Sequence, residues 1–246
     1  MLKGILEATA GMMARGVQLE KVSQNLANAN TTGYKSEHLA YTSLIDQEIA
    51  RLQMQGERGL ELLAPGQYTN YDSGAMMTTG NDLDVALSGN GFFVVRNQSG
   101  EEFYTRNGNF YRNDQGTLVT ADNLQVVGDS GEIQLETGRV TISVNGSISQ
   151  RGSEIDQLKV VTISDNTSLR SVGKSLYTIA SPTATADPVE SPEVRQGILE
   201  QSNVNIVTEM IDLIELQRIF KFTQRALQSQ SDTLGLAVNS VGTLGR

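Results

Sequence analysis

Both ends of this chain repeat an apolar residue at every seventh position, while the stretch between them follows the two-residue rhythm of strands. Ile206, Leu213, Phe220, Leu227, Leu234 and Val241 are successive sevens near the C-terminal end, and Ile5, Met12, Leu19 and Leu26 are the same near the other. Such a repeat lays a narrow apolar seam along a helix, which one helix cannot bury alone. The terminal segments are therefore expected to meet each other, or other copies, through those seams. An ordinary amphipathic helix on a globular core remains the competing interpretation of the shorter N-terminal stripe. The seams point to an assembly protein rather than a self-contained catalyst.

The expected fold class is α+β, with terminal α-helices pairing as a coiled coil around a central all-β domain. Residues 1–35 are expected to form an N-terminal helix over 2–29 and a junction, closing in Asn28-Ala29-Asn30-Thr31-Thr32-Gly33. Asn and Gly supply helix stops there, and Gly33 is expected at positive φ. Residues 36–80 hold a shorter predicted helix from Leu39 to about Met54, spaced by Tyr41, Ile45, Ile49 and Leu52, and then an extended connector. Residues 81–180 read as a β domain. Leu83–Leu87 and Phe92–Val95 flank Gly89-Asn90-Gly91 as a predicted hairpin, followed by strands near 103–105, 109–112, 118–120, 125–127, 133–135, 140–144, 158–163 and 176–179. Three of the four prolines, Pro182, Pro188 and Pro192, fall within a predicted linker over 181–199. Residues 200–246 are the C-terminal helix, capped by Asn203 or Asn205 and reaching about Val241. Roughly 35 helical residues would be about 50 Å long, a length suited to a coiled coil or a tube wall.

Composition removes several functions. The 246 residues include no cysteine, no tryptophan and one histidine, His38, so disulfides, thiolate metal sites and multi-histidine metal sites are excluded. The net charge of −9 resides in the middle of the chain, near −10, while the helical ends are close to neutral. Neutral ends suit dense packing among copies, and an acidic middle argues against nucleic acid. No run approaches the roughly 20 apolar residues of a membrane-spanning helix, and Glu7 interrupts the first apolar stretch, so neither membrane insertion nor a cleaved secretory signal is expected.

Candidate chemistry is thin. Asp82 and Asp84 share a strand face but lack further ligands, and Gly89-Asn90-Gly91 lacks the third glycine and helix of a nucleotide loop. His38 has no evident catalytic partner, and no serine sits in a Gly-x-Ser-x-Gly elbow. Asn97-Gln98-Ser99, Asn145-Gly146-Ser147 and Asn166-Thr167-Ser168 match the glycosylation pattern, and with no secretory signal expected they are read as chance matches. Met12 and Met210 lie on helical stripes and suit adaptable packing at subunit contacts. Neither a catalytic set nor a cofactor is expected.

Four stretches together resemble bacterial flagellar rod and hook proteins. Asn25-Leu26-Ala27-Asn28-Ala29-Asn30-Thr31-Thr32-Gly33-Tyr34-Lys35 resembles the N-terminal signature of that family. Ser202-Asn203-Val204-Asn205-Ile206-Val207-Thr208-Glu209-Met210, continuing to Gln217-Arg218, resembles the C-terminal one. Leu83–Phe93 and Tyr104-Thr105-Arg106-Asn107-Gly108-Asn109-Phe110 resemble the central domain. Within the family, Val94-Val95 after the paired phenylalanines and the short insertion before Leu83 resemble a basal-body rod subunit most, and the lack of room for the larger outer domain that hook protein usually carries argues against hook protein. The resemblance implies export through the flagellar type III apparatus without a cleaved signal and a place in the cell-envelope rod of the basal body. Other copies of the chain and other rod and hook proteins are the implied partners. Ile5, Met12, Leu19 and Leu26 against Ile206, Leu213, Phe220, Leu227 and Leu234 are the expected subunit interface, lining an inner tube beneath a β-rich outer layer. The alternative from another class is a surface adhesin whose termini form a private two-helix stalk; a β-rich hydrolase would need a catalytic set the sequence does not show.

Overall fold

The computed structural model describes residues 2–40 and 66–243. The chain divides into two units, one of Met1–Ala27, Glu37–Tyr68 and Asn205–Arg246, the other of Asn28–Ser36 and Thr69–Val204.

The first unit is built on two helices, α1 over Leu2–Ala27 and α2 over Ile206–Thr243. Asn205 starts α2: its side-chain oxygen accepts from the backbone N–H groups of Val207 at 3.1 Å and Thr208 at 3.2 Å. Two of the orphan donors of a helix start are thereby satisfied. Glu209 in the first turn adds a carboxylate at the positive end of the helix dipole. The helices pack side by side. Asn25 near the end of α1 donates to Glu209 at the start of α2, 3.3 Å away, so they run antiparallel.

One side of α2 is covered. Glu209, Leu213, Leu216, Phe220, Thr223 and Leu227 are buried or half-buried, at alternating intervals of four and three. That spacing keeps a single stripe facing a neighbouring helix. The reverse side is bare although it carries Val207, Ile211, Ile214 and Phe222. The predicted helix over 39–54 meets a correction at its start: Glu37–Ala40 is a strand paired with Gly66–Thr69. The remainder of that prediction lies outside the described residues.

The second unit is β-rich, and every strand pairing recorded within it is antiparallel. Its largest sheet runs in the order 169–173, 176–179, 102–105, 92–96, 125–128, 118–120, 110–112. The strand Phe92–Arg96 organises the core. Phe93 and Val95 point into one apolar cluster with Val85, Phe110, Leu118 and Ile148, while Phe92 and Val94 point into another with Tyr104, Val161 and Tyr177. A run of four apolar residues is what a strand buried on both faces requires. Smaller sheets join 140–142, 147–150 and 153–157, then 85–88 with 193–196, then 76–78 with 198–200.

Three sequence expectations are corrected here. Val85–Ser88 does not form a hairpin with Phe92–Arg96; it pairs with Glu193–Gln196. Phe92–Arg96 needs neighbours on both edges and takes Glu102–Thr105 and Gln125–Gly128. Ile133 and Leu135 are buried, but the segment is not a strand, touching Thr117 by an isolated bridge at Gln134. The proline-containing stretch over 181–199 is no free connector, since Ala186–Pro188 pairs with Val161–Ile163, and Val194 and Leu199 are buried. Pro182 and Pro192 lie outside ladder positions, and Pro188 is the last residue of Ala186–Pro188, which pairs along one side only, so its missing N–H falls on an edge strand, where proline is tolerated.

Candidate assembly site

The interface residues picked from the sequence fall as follows. Met12, Leu19 and Leu26 are half-buried on α1, and Leu213, Phe220 and Leu227 are half-buried on α2. Ile206 is exposed. The side chains of Ile5 and Leu234 lie outside the described residues. Among the described residues of the two helices, the most deeply buried apolar ones are Val22 and Leu216, which the sevens do not pick out.

A polar cluster closes the first unit where α1 ends and α2 begins. Asn25 is 1% exposed. Its Oδ1 accepts from the Glu37 N–H and its Nδ2 donates to the Glu37 carbonyl, both at 3.0 Å. A side-chain amide carries one donor and one acceptor side by side, so it pairs with a strand residue as another strand would. The same Nδ2 reaches Glu209, and Glu37 itself accepts from Lys21 at 2.6 Å and Gln67 at 2.6 Å. One asparagine thus holds α1, a strand and α2 in one register.

Burial pushes the Glu209 carboxyl above the ordinary carboxylate range, with Asp212 adding to the rise while Asn25 and His38 oppose it. Between the ordinary value and the raised one, the folded chain holds a proton that the unfolded chain has released. The helix pair is therefore expected to be most stable in mild acid and to weaken as pH rises through the raised value. Glu209→Gln should flatten that dependence while leaving Asn25 an acceptor, as urea unfolding followed across the weakly acidic range would show.

A second polar cluster lies wholly within the β-rich unit. Lys35 and Glu200 have fully buried side chains, with Nζ 2.7 Å from the carboxylate oxygen Oε1. Lys35 also donates to the Asp72 carbonyl at 2.6 Å, and the same Glu200 oxygen accepts from the Gly74 N–H at 2.9 Å. Arg106 approaches the other oxygen, Oε2, to 3.5 Å, donates to the Gly89 carbonyl and stands over the Phe92 ring. Burial pushes both the Lys35 amine and the Arg106 guanidinium below their ordinary values, against the pull of Glu200.

Asn203 works beside them. Its oxygen accepts from the Ser36 N–H at 2.8 Å, and its nitrogen donates to the carbonyls of Asn70 at 2.9 Å and Asp72 at 3.1 Å. Gly33 has φ +66°, and its N–H donates to the Glu200 carbonyl at 2.8 Å. A side chain there would begin 2.4 Å from the Asn107 nitrogen, so the position admits only glycine.

The remaining signature residues divide by exposure. Tyr34 is buried, with its carbonyl accepting from the Asn203 N–H, and Asn28 accepts from both the backbone and the hydroxyl of Thr31. Val204 is half-buried, whereas Ala27, Met210 and Gln217 face solvent. Glu200, Lys35, Arg106 and Glu37 were not singled out as site residues. Lys35 and Arg106 stand inside the quoted motifs; nothing local marks Glu200, whose partner is 165 positions away.

Asp84, weighed as a metal ligand, is buried and accepts from Thr79, Asn81 and Asn109. Asp82 faces Arg139 instead. Among the described residues no group of three or more His, Asp or Glu side chains is arranged to hold a metal, and no helix is long and apolar enough to cross a membrane.

Geometry of this kind, with long paired helices at the chain ends and side-chain clamps between distant segments, defines a structural assembly protein. Three family descriptions match the chain in order. Residues 5–35 match the flagella basal body rod protein, 86–150 the flagellar hook protein FlgE/F/G D1 domain, and 195–240 the flagellar basal body rod FlgEFG protein C-terminal region. The chain is 33% identical to the flagellar basal-body rod protein FlgF of Caulobacter vibrioides over 92% of its own length and 93% of the relative's. It is 30% identical to FlgG of Agrobacterium fabrum, over 94% and 96%, and 29% identical to FlgG of Bacillus subtilis, over 97% and 99%. The chain belongs to the flagellar basal-body rod protein family. The resemblance in the sequence favours the FlgF type, with FlgG second.

Proposed function

We propose that this chain is a structural subunit of the bacterial flagellar basal-body rod, polymerising through its terminal helices into the shaft that carries torque from motor to hook. The observation that carries this beyond family membership is the two-sided α2 helix. Its inner stripe is covered by α1, and its outer stripe leaves Val207, Ile211, Ile214 and Phe222 bare. A private two-helix stalk, as in an adhesin, would have no use for that second apolar stripe, since large exposed apolar patches mark contact surfaces.

Under this proposal the helices supercoil as an inner tube layer, the β-rich unit makes the outer layer, and other copies and other rod and hook proteins are the neighbours. Torque passes through packing, without a reaction. The chain leaves the cytoplasm through the flagellar type III apparatus with no cleaved signal. Helices with so little buried apolar surface gain most of their stability from neighbours, which suits passage through a narrow channel.

Hydrogen exchange on the purified full chain tests it. Amides of α1, Leu2–Ala27, and of α2, Ile206–Thr243, are expected to exchange fast in the monomer and to become protected in isolated rods, while the β-rich unit stays protected in both. Termini already protected in the monomer would favour the stalk.

A further inference from the structure

We infer that the outer stripe of α2 receives the outer face of α1 from a second copy of this chain. This rests on the proposed rod function and names the contact that propagates it.

The stripe consists of Val207, Ile211, Ile214, Arg218, Phe222 and Arg225, at steps of four, three, four, four and three. Those steps keep it on one side of the helix, opposite Glu209, Leu213 and Leu216. Phe222 is 75% exposed and Val207 67%, and a shallow groove passes between Ile211, Ile214, Arg218 and Phe222. The groove is bulky, apolar and rimmed by cations: Arg218, Lys221 and Arg225 against Glu215.

The matching surface is on the chain itself. Thr9, Met13, Val17 and Glu20 are all exposed and follow one another along α1 at steps of four, four and three. Met13 and Val17 are the large apolar residues exposed on the described part of α1. Next to them Gly16 meets nothing within 4 Å of where a side chain would start, so a neighbouring helix can approach the backbone closely. The charge in this row is Glu20, opposite in sign to the rim of the groove.

A large cationic groove against a slim anionic face is complementary in both shape and sign. Groove against groove would oppose three cations to three cations, and like charges set face to face cost affinity. The contact joins two different surfaces, so it leaves each partner with one free surface and repeats, which is what a shaft requires.

The test exploits a chain without cysteine. One full-length variant carries Val17→Cys and a second Phe222→Cys, both at exposed positions, and the two are co-expressed in a strain lacking the natural chain. Basal bodies are isolated and oxidised mildly. The expected result is a disulfide-linked dimer from mixed rods and none from rods built of either variant alone. Glu20→Lys in the Val17→Cys chain should lower the dimer yield, and Arg218→Glu in the Phe222→Cys chain should restore it. Rods that assemble normally but give no mixed dimer overturn the contact and leave the rod function standing. A dimer from the Phe222→Cys chain alone also overturns it, in favour of two α2 helices meeting. Failure of the cysteine-free chain itself to enter basal bodies removes the rod function and this contact together.

Discussion

A chain carrying Leu216→Asp is expected to keep a folded β-rich unit yet to be missing from the rod, leaving cells non-motile. Leu216 is 5% exposed, and with Val22 it is one of two fully buried apolar side chains on the described helices. Burying a leucine contributes about 1.5–3 kcal/mol, and here few other residues share the task. A carboxylate in its place loses that and adds the cost of a charge on the same stripe as Glu209, seven residues earlier, whose own carboxyl burial already disfavours. Leu213→Asp and Leu227→Asp should act in the same direction but less strongly, because both positions are only half-buried. Leu216→Met, which preserves volume, should assemble. Motility, recovered rods and the thermal transition of the purified chain separate the outcomes. Motile cells with rods containing Leu216→Asp would show that this stripe does not hold the helices.

The sevens revealed the terminal helices because a heptad repeat is a property of a single helix, visible without its partner. They showed only one of the two rows that face a neighbour. The second row on α2 is Glu209, Leu216 and Thr223, and with a charge and a hydroxyl among three residues it has no apolar rhythm to read. On α1 the most deeply buried of the described residues is Asn25, buried by the backbone it pairs with rather than by hydrophobicity. The strand Phe92–Arg96 was legible for the opposite reason, its four apolar residues in a row. Ser147–Gln150 has Ile148 as its one apolar side chain, and the edge between 193 and 200 follows Pro188 and Pro192 and is half polar itself, so it mimics a linker.

The family signatures named Asn25, Gly33 and Asn203 without saying what they do. Each makes backbone hydrogen bonds to a segment distant in sequence, and sequence spacing carries no record of such partners. His38, for which the sequence shows no catalytic partner, is half-buried in a strand with its ring 5.5 Å from that of Tyr68. The hairpin expected across Gly89-Asn90-Gly91 failed because local turn chemistry says that the chain bends, not which strand it meets next. Gly89 at φ +83° supplies the bend, but the ladder that Val85–Ser88 joins comes from more than a hundred residues later.

The largest loss within the β-rich unit is expected from Glu200→Gln. The carboxylate serves two buried cations, Lys35 at 2.7 Å and Arg106 at 3.5 Å, and its removal leaves both without a counter-charge. Breaking a buried pair in this way costs about 3–5 kcal/mol, a large share of the roughly 5–15 kcal/mol that keeps a domain folded. The glutamine can still accept from Gly74, so the loss reports charge rather than a missing hydrogen bond. Lys35→Met alone should cost less, because Glu200 keeps Arg106. Replacing all three together, as Lys35→Met, Arg106→Met and Glu200→Leu, should recover much of the loss, since a packed apolar trio carries no desolvation penalty. The alkaline limb gives an independent check. With the folded pKa of Lys35 below the unfolded one, the unfolded chain binds the extra proton between the two values, so the unit gains stability as pH rises through that window. Lys35→Met abolishes that gain. Urea midpoints at neutral and alkaline pH provide both measurements, and a Glu200→Gln midpoint within error of the parent chain would mean that this ion cluster does not hold the unit closed.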